Sequence, residues 1–388
     1  MLDFSRITFN KSLRLKVKTA TEIKSKYKIC PLSSVVEIIS GGTPDTSVPE
    51  YWNGDIPWLS VNDFNTGFRY VSDAEKYITQ EGLQNSNTNY LQPDDVIMSA
   101  RGTVGVVAQI KRPMTFNQSC YGLRSKGDVS NSYLYYVLLN IREEIVNLAT
   151  GSKFPSIVRT TFDSIKIPIP PISIQEQIVV ECEKIDEEYN STRMSIENYR
   201  KKIEDLFNKL DVISIGGGRL SLANPEDFDI SIGKRVLNKQ LVPTGTIPVY
   251  SANVTEPFGN IDELLITDFS VPSVLWGIDG DWMTSFMPAN EEFYPTDHCG
   301  VLRCKTEAVN PRYLAHVLEK EGRRMGFSRS YRASLDRIEG ITFTVTDRKT
   351  QDDAVNEINT IEARIKDAED ILNSLKGKIS DVLNSYLT

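Results

Sequence analysis

Two stretches of the chain carry apolar residues at alternating spacings of four and three. In the first, Ile178, Cys182, Ile185, Tyr189, Thr192, Ile196, Tyr199, Ile203, Leu206 and Leu210 keep that rhythm, the a/d pattern of a coiled coil. In the second, Ala354, Ile358, Ile361, Ile365, Ala368, Leu372, Leu375, Ile379, Val382 and Tyr386 repeat it, with Lys, Glu and Asp filling most positions between. Each predicts a helix of about 38 residues, about 57 Å long at 1.5 Å per residue. A lone 15-residue seam of this kind would lie on a globular core. Two of this length are expected to pair with each other, and antiparallel, because the segment between them must leave one helix and enter the other.

The helix starts are also written in the sequence. Pro168, Pro170 and Pro171 force an extended approach, and Ser173-Ile174-Gln175-Glu176 then reads as a capping box, in which a hydroxyl and a carboxylate satisfy orphan backbone donors. Thr350-Gln351-Asp352-Asp353 repeats the device, and Gly216-Gly217-Gly218 stops the first helix.

The segments before the two helices resemble each other. Ile56-Pro57-Trp58 has a counterpart in Ile247-Pro248-Val249, Cys120 with Leu123-Arg124 in Cys299 with Leu302-Arg303, and Tyr133-Leu134 in Tyr313-Leu314. The offsets of 191, 179 and 180 residues describe an internal duplication. Short β-branched and aromatic runs (104–110, 165–169, 341–345) separated by turn residues, with a brief helix over 133–146, read as α+β domains. The expected order is a basic arm (1–31), a first globular domain (32–172), a central helix (173–215), a second globular domain (216–347) and a C-terminal helix running to 388. The coiled-coil core would include Ile178, Ile185, Ile196, Ile203, Leu210, Ile358, Ile365, Leu372 and Ile379.

A hydrophobic fraction of 40% lets such domains bury real cores. No apolar run approaches the roughly 18 residues of a membrane span, and Met1-Leu2-Asp3-Phe4 opens no signal core. Five cysteines at 30, 120, 182, 299 and 304 form no regular framework. The expectation is a cytoplasmic protein with no membrane contact. The net charge of −8 hides an arm over 1–31 with 8 basic and 2 acidic side chains, so any nucleic-acid binding must gather cations locally.

Catalytic chemistry is expected to be absent. An adenine methyltransferase needs an Asn/Asp-Pro-Pro-Tyr/Phe loop, and Ile169-Pro170-Pro171-Ile172 lacks both the polar and the aromatic member. Gly233-Lys234 is followed by Arg235, so no phosphate-binding loop forms. With two histidines, general-base arrangements are few. His298, Cys299, Cys304 and His316 match no zinc spacing, and a core cysteine with a surface histidine is the expected reading. No metal and no cofactor are expected.

The positive signal is a cluster of cations, aromatics and hydroxyls. Lys320, Arg323, Arg324, Phe327, Arg329, Tyr331, Arg332 and Arg337 fall within 18 residues, interleaved with Ser328, Ser330 and Ser334. Arginine offers a planar fork to guanine edges or phosphate. A solvated face balanced by Glu319 and Glu321 is the competing reading. In the first domain the corresponding stretch holds Thr150, Ser152, Lys153, Phe154, Arg159, Thr160 and Thr161, with Arg101 and Arg124 as additions. The arm cations Lys11, Arg14, Lys16, Lys18, Lys24, Lys26 and Lys28 suit either a DNA backbone or a loose tail.

Certain motifs resemble a known family. Gly41-Gly42-Thr43-Pro44, Pro49-Glu50-Tyr51-Trp52-Asn53-Gly54-Asp55-Ile56-Pro57-Trp58, Ser99-Ala100-Arg101-Gly102-Thr103-Val104-Gly105, Phe116-Asn117-Gln118, Thr150-Gly151-Ser152 and Gln175-Glu176-Gln177 are together similar to a target-recognition domain and helix of the specificity subunits of Type I restriction-modification systems. The likeness spans essentially the whole chain. The second half is more divergent, with Asp279-Gly280-Asp281-Trp282 where the first has its Arg-Gly-Thr turn, and Arg329-Ser330-Tyr331-Arg332 where it has Phe154-Pro155-Ser156. The resemblance implies a non-catalytic subunit that clasps two methyltransferase subunits against double-stranded DNA, with restriction subunits added for cleavage. Each domain would read one half of a split target. The DNA-contacting residues would be Arg101, Arg124, Ser152, Lys153, Arg159, Thr160, Lys320, Arg323, Arg324, Arg329, Tyr331 and Arg332. A coiled-coil protein-interaction scaffold without DNA specificity is the alternative, and the low bulk basicity supports it.

Overall fold

The computed structural model describes residues 25–149 and 155–388. In the first globular part, β1 (Ile29–Pro31) pairs antiparallel with β10 (Lys166–Pro168) and so brings entry and exit together. Between them lie β2 (Val36–Ser40), β3 (Trp52–Leu59), β4 (Tyr70–Val71), β5 (Lys76–Ile78), β6 (Val96–Ser99), β7 (Val107–Ile110), β8 (Thr115–Phe116) and β9 (Cys120–Ser125). They build a five-stranded sheet in the order β2-β9-β6-β7-β4 and a three-stranded sheet in the order β5-β3-β8. The central β6 is buried at every residue, which is why it reads as an unbroken apolar run and not as an alternation. Helices α1 (Asn131–Asn140) and α2 (Arg142–Leu148) follow, α1 capped by the Ser130 hydroxyl.

The run expected to be a strand over 104–110 starts later, because Gly102 and Gly105 adopt left-handed φ of +72° and +77° and turn the chain before β7. The helix expected over 133–146 is likewise divided at Ile141.

α3 (Ile172–Ser214) is a single helix of 43 residues. The second globular part repeats the first. β11 (Gly218–Ser221) pairs with β19 (Thr342–Val345), and between them come β12 (Phe228–Ile232), β13 (Ile247–Tyr250), β14 (Gly259–Ile261), β15 (Ser273–Gly277), β16 (Thr284–Met287), β17 (Tyr294–Pro295) and β18 (Cys299–Cys304). The sheet orders β12-β18-β15-β16 and β14-β13-β17 follow those of the first part, except that among the described residues no strand takes the edge place of β4. α4 (Pro311–Met325) starts on the Asn310 cap and ends at Gly326, whose φ is +77°.

The second long helix departs from the expectation of one element to 388. α5 (Arg348–Leu375) and α6 (Lys378–Leu387) are separate, because Gly377 sits in the left-handed region at φ +88° and interrupts the turn. Both helix starts also differ. α3 begins on Pro171, whose carbonyl accepts from Ile174 and Gln175, so Ser173 lies in the first turn. α5 is capped by the Asp347 carboxylate, which accepts from the Thr350 N–H at 2.9 Å, so Thr350 is not the cap. In both helices the glutamine of the expected cap turns inward and is fully buried.

The described residues form two compact units, one of 25–195 with 368–388 and one of 196–367. In the second unit the Lys202–Glu357 ion pair at 2.8 Å and the Thr346 N–H donated to Ser214 Oγ at 3.0 Å run in opposite senses along α3 and the stretch from Thr346 into α5, an antiparallel pairing. In the first, the Tyr386 hydroxyl of α6 donates to Glu181 at 2.6 Å, and the Lys26 N–H donates to the Leu387 carbonyl at 2.8 Å. Ile178, Ile185, Ile196, Ile203, Leu210, Ile358, Ile365, Leu372 and Ile379 are all buried.

The seam drifts by one residue. Arg193 and Phe207 are buried where Thr192 and Leu206 were expected, and Val355, Leu383 and Leu387 take the places of Ala354, Val382 and Tyr386. A helix of 3.6 residues per turn rotates away from a strict 3.5 repeat. Arg193 is held by the globular part, over the Phe68 ring at 4.5 Å. Phe207 stacks on His316 at 4.3 Å.

Candidate nucleic-acid interface

In the first unit, three segments distant in sequence converge after β6. The Ala100 carbonyl accepts the Ile157 N–H at 2.9 Å, its N–H donates to the Ser119 carbonyl at 2.8 Å, and Arg101 bridges antiparallel to Ser156. The Thr43 hydroxyl donates to Gln118, and a Cβ on Gly41 would stand 2.1 Å from the Asn117 oxygen. The Gly-Gly-Thr-Pro and Phe-Asn-Gln motifs therefore meet beside the arginine turn. Arg101, Arg159 and Thr160 are exposed there. Ser152 and Lys153 lie outside the described residues, as do Thr150, Phe154 and the arm residues 1–24.

The second unit repeats these connections with different side chains. The Ile278 carbonyl accepts the Ala333 N–H at 2.9 Å, and the Ile278 N–H donates to the His298 carbonyl at 3.0 Å. The Lys234 N–H donates to the Pro295 carbonyl at 3.1 Å, as Gly42 does to Phe116 at 3.0 Å. Arg332 reaches across to Asp279 at 2.5 Å. Tyr331 stacks on Phe327 at 5.7 Å, with the Arg337 guanidinium 3.9 Å from its ring centre. Arg329 is exposed on the same turn.

The other predicted cations are engaged by acids. Lys320 pairs with Asp211 at 3.0 Å, Arg323 with Glu319 at 2.8 Å, and Arg324 with Glu321 at 2.7 Å. Glu319 and Glu321 are both buried. These are the acids that the solvated-face reading names, although Arg324 remains 74% exposed. Arg124 is tied into the first sheet. Its guanidinium grips Asp95 at 2.6, 3.0 and 3.1 Å, and Asp95 is 1% exposed.

Sequence reasoning missed Arg69. Its buried guanidinium donates to Tyr136 at 3.0 Å, Glu183 at 2.7 Å and Ser132 at 2.7 Å, and thereby fixes α1 on α3. Beside it burial pushes the Asp186 carboxyl up to about 6. His316 is buried and paired with Asp211 at 3.1 Å, contrary to the expected surface histidine, and its burial lowers its pKa. Cys299 is buried within β18, and His298 pairs with Asp279. No group of three metal-binding side chains occurs among the described residues. No helix among them is long and apolar enough to cross a membrane.

Residues 24–198 match the family described as the Type I restriction modification DNA specificity domain. The chain is 28% identical over 203 residues to the MjaIX specificity subunit of Methanocaldococcus jannaschii, covering 52% of this chain and 45% of that one. It is 32% identical over 167 residues to the EcoR124I/EcoR124II specificity subunit of Escherichia coli, covering 41% of each. Over residues 24–198 the chain is similar to the type I specificity subunits.

The matched region spans less than half the length of these two specificity subunits. In fold, the chain is similar to the crystal structure of a type I S subunit from M. genitalium, with a TM-score of 0.62 at 15% identity, covering 96% of this chain and 99% of that one. A chain from a structural study of complex assembly and conformational transition of the type I R-M system gives a TM-score of 0.57 at 12% identity, covering 95% and 99%. Arg101, Ser119 and Ser156 all lie within the matched specificity domain.

Proposed function

We propose that this chain is a type I specificity subunit that reads double-stranded DNA without catalysing a reaction, each globular domain (32–172 and 216–347) recognising one half of a bipartite target. The paired helices would set the distance between the halves and dock two methyltransferase subunits, to which restriction subunits add cleavage. One observation carries the reading. In both units the same backbone bonds, Ala100 to Ile157 and Ile278 to Ala333, gather exposed loops at the end of a fully buried central strand. A rigid sheet that presents variable loops suits recognition. The side chains on those loops differ between the units, as reading two different half-sites requires.

The test is to map methylated adenines in cells that express the methyltransferase partner with and without this chain. Site-selective methylation should appear only with the chain. Replacing 216–347 with the segment of a relative should change one half of the methylated motif and leave the other intact. Methylation that is indifferent to the chain would support the scaffold reading instead.

A further inference from the structure

The two units place opposite charges at one equivalent point. In the first, the turn after the central strand carries a cation, Arg101, facing Ser156 across the backbone bridge. In the second the same turn carries an acid, Asp279, and the cation comes from the opposing segment as Arg332. Asp279 also accepts from His298 Nδ1 at 2.7 Å, so one carboxylate holds side chains from two further loops. Burial opposes ionisation of Asp279, but the Arg332 and His298 hydrogen bonds outweigh it and hold the carboxyl below its ordinary range.

The backbone at and just after Arg332 is fixed. The Ala333 N–H is given to Ile278 at 2.9 Å, and the Ala333 carbonyl accepts from the buried Trp276 indole at 3.0 Å. The Arg332 carbonyl accepts from Arg337 at 2.6 Å. Arg332 is nevertheless 59% exposed and His298 45% exposed, while Asp279 beneath them is 22% exposed. The His298 Nε2 stands 3.8 Å from Asp297. A guanidinium has five N–H donors, and a carboxylate gripping one corner leaves the outer donors aimed at solvent in a set direction. That is the arrangement a paired-acceptor edge requires, and among bases the major-groove edge of guanine, O6 with N7, is the one Arg forks onto.

We infer that Asp279 is a positioning residue that orients Arg332, with His298 beside it, to read a guanine in the half-site of the second domain. The inference rests on the DNA-reading function proposed above and adds the residues and the base class.

The experiment uses the full chain with its methyltransferase partner and reads the methylated motif. Asp279→Asn and Arg332→Ala should each relax the same single guanine position of one half-site, roughly ten- to hundredfold in discrimination. The double variant should be no worse than either single one, because both remove one coupled element. Arg332→Lys keeps the charge and loses the fork, so it should relax that position while leaving the salt dependence of binding unchanged. The other half-site should be untouched throughout, and melting temperatures verify folding. An intact motif in folded variants, or relaxation at different positions in Asp279→Asn and Arg332→Ala, overturns the inference. Failure of the wild-type chain to direct methylation at all would instead overturn the proposed function.

Discussion

Gln175 and Gln351 make the same three hydrogen bonds in their two units. Each side chain is fully buried. Gln175 Oε1 accepts the Ser130 N–H at 2.8 Å, and its Nε2 donates to the Asp128 carbonyl at 3.0 Å and the Pro170 carbonyl at 2.9 Å. Gln351 Oε1 accepts the Asn310 N–H at 2.8 Å, and its Nε2 donates to Ala308 at 3.0 Å and Thr346 at 2.7 Å. Ser130 and Asn310 are the caps of α1 and α4, so each amide locks a long helix to the domain that precedes it.

Replacing either glutamine with leucine strands one N–H and two carbonyls in the interior. Gln175→Leu and Gln351→Leu should each cost roughly 2–4 kcal/mol, at about 1–3 kcal/mol per unsatisfied buried group with partial relaxation. Chemical denaturation measures it, and a loss under about 0.5 kcal/mol, typical of an ordinary surface change, would show that the amides hold nothing.

Asp186 makes the stability of its unit depend on pH. Its folded pKa of about 6 lies above the unfolded value near 4. The stabilisation from the protonated form is therefore complete below about pH 4 and is lost as pH rises through about 6. The Tyr136 hydroxyl donates to Asp186 at 2.8 Å, and Asp186→Asn, which keeps that acceptor, should raise the melting temperature most above pH 6 and hardly at all near pH 4. An equal gain at both ends would contradict this origin.

Arg329 and Arg124 should behave in opposite ways. Arg329→Ala should leave stability within about 0.5 kcal/mol. If Arg329 meets a phosphate, the variant flattens the log-log salt slope of DNA binding by the assembled complex by about 0.9. Arg124→Met leaves the buried Asp95 carboxylate without its cation, so it should cost on the order of 2 kcal/mol and leave the slope alone. Titration at several salt concentrations separates them, and exchanged outcomes would reverse the two assignments.

Gly322→Ala should destabilise its unit although alanine favours helices by about 1 kcal/mol. The new Cβ would stand 2.2 Å from the Trp282 ring, whose indole is anchored on the Glu319 carbonyl at 2.9 Å. A net loss of about 1–3 kcal/mol, the range for overpacking, is expected in thermal unfolding; a gain would mean the ring moves freely.

The helical seams were legible because a period repeated over ten positions survives local exceptions, and the duplication because both halves bury the same strands. The drift to Arg193 and Phe207 was not, since it depends on which globular surface flanks the helix. Nor was the break at Gly377, one glycine within a sustained apolar rhythm. Arg124 looked like a free cation because Asp95 is 29 residues away. Only the register that sets Val96 opposite Leu123 makes the two neighbours. Asp279 and Arg332 meet for the same kind of reason, through a bridge between segments more than fifty residues apart.

The unit that contains residues 25–195 is completed by residues 368–388. On the ribosome, Ile178, Cys182, Ile185 and Tyr189 therefore emerge about 190–200 residues before α6, the helix of their own unit that follows the second domain. At 5–20 residues per second that interval is roughly 10–40 s. For that time this stretch of the nascent chain stands without α6, whose Tyr386 later meets Glu181, so holding chaperones should engage it before synthesis ends. Premature termination within the second domain would leave this stretch without α6, and the product would be prone to aggregation.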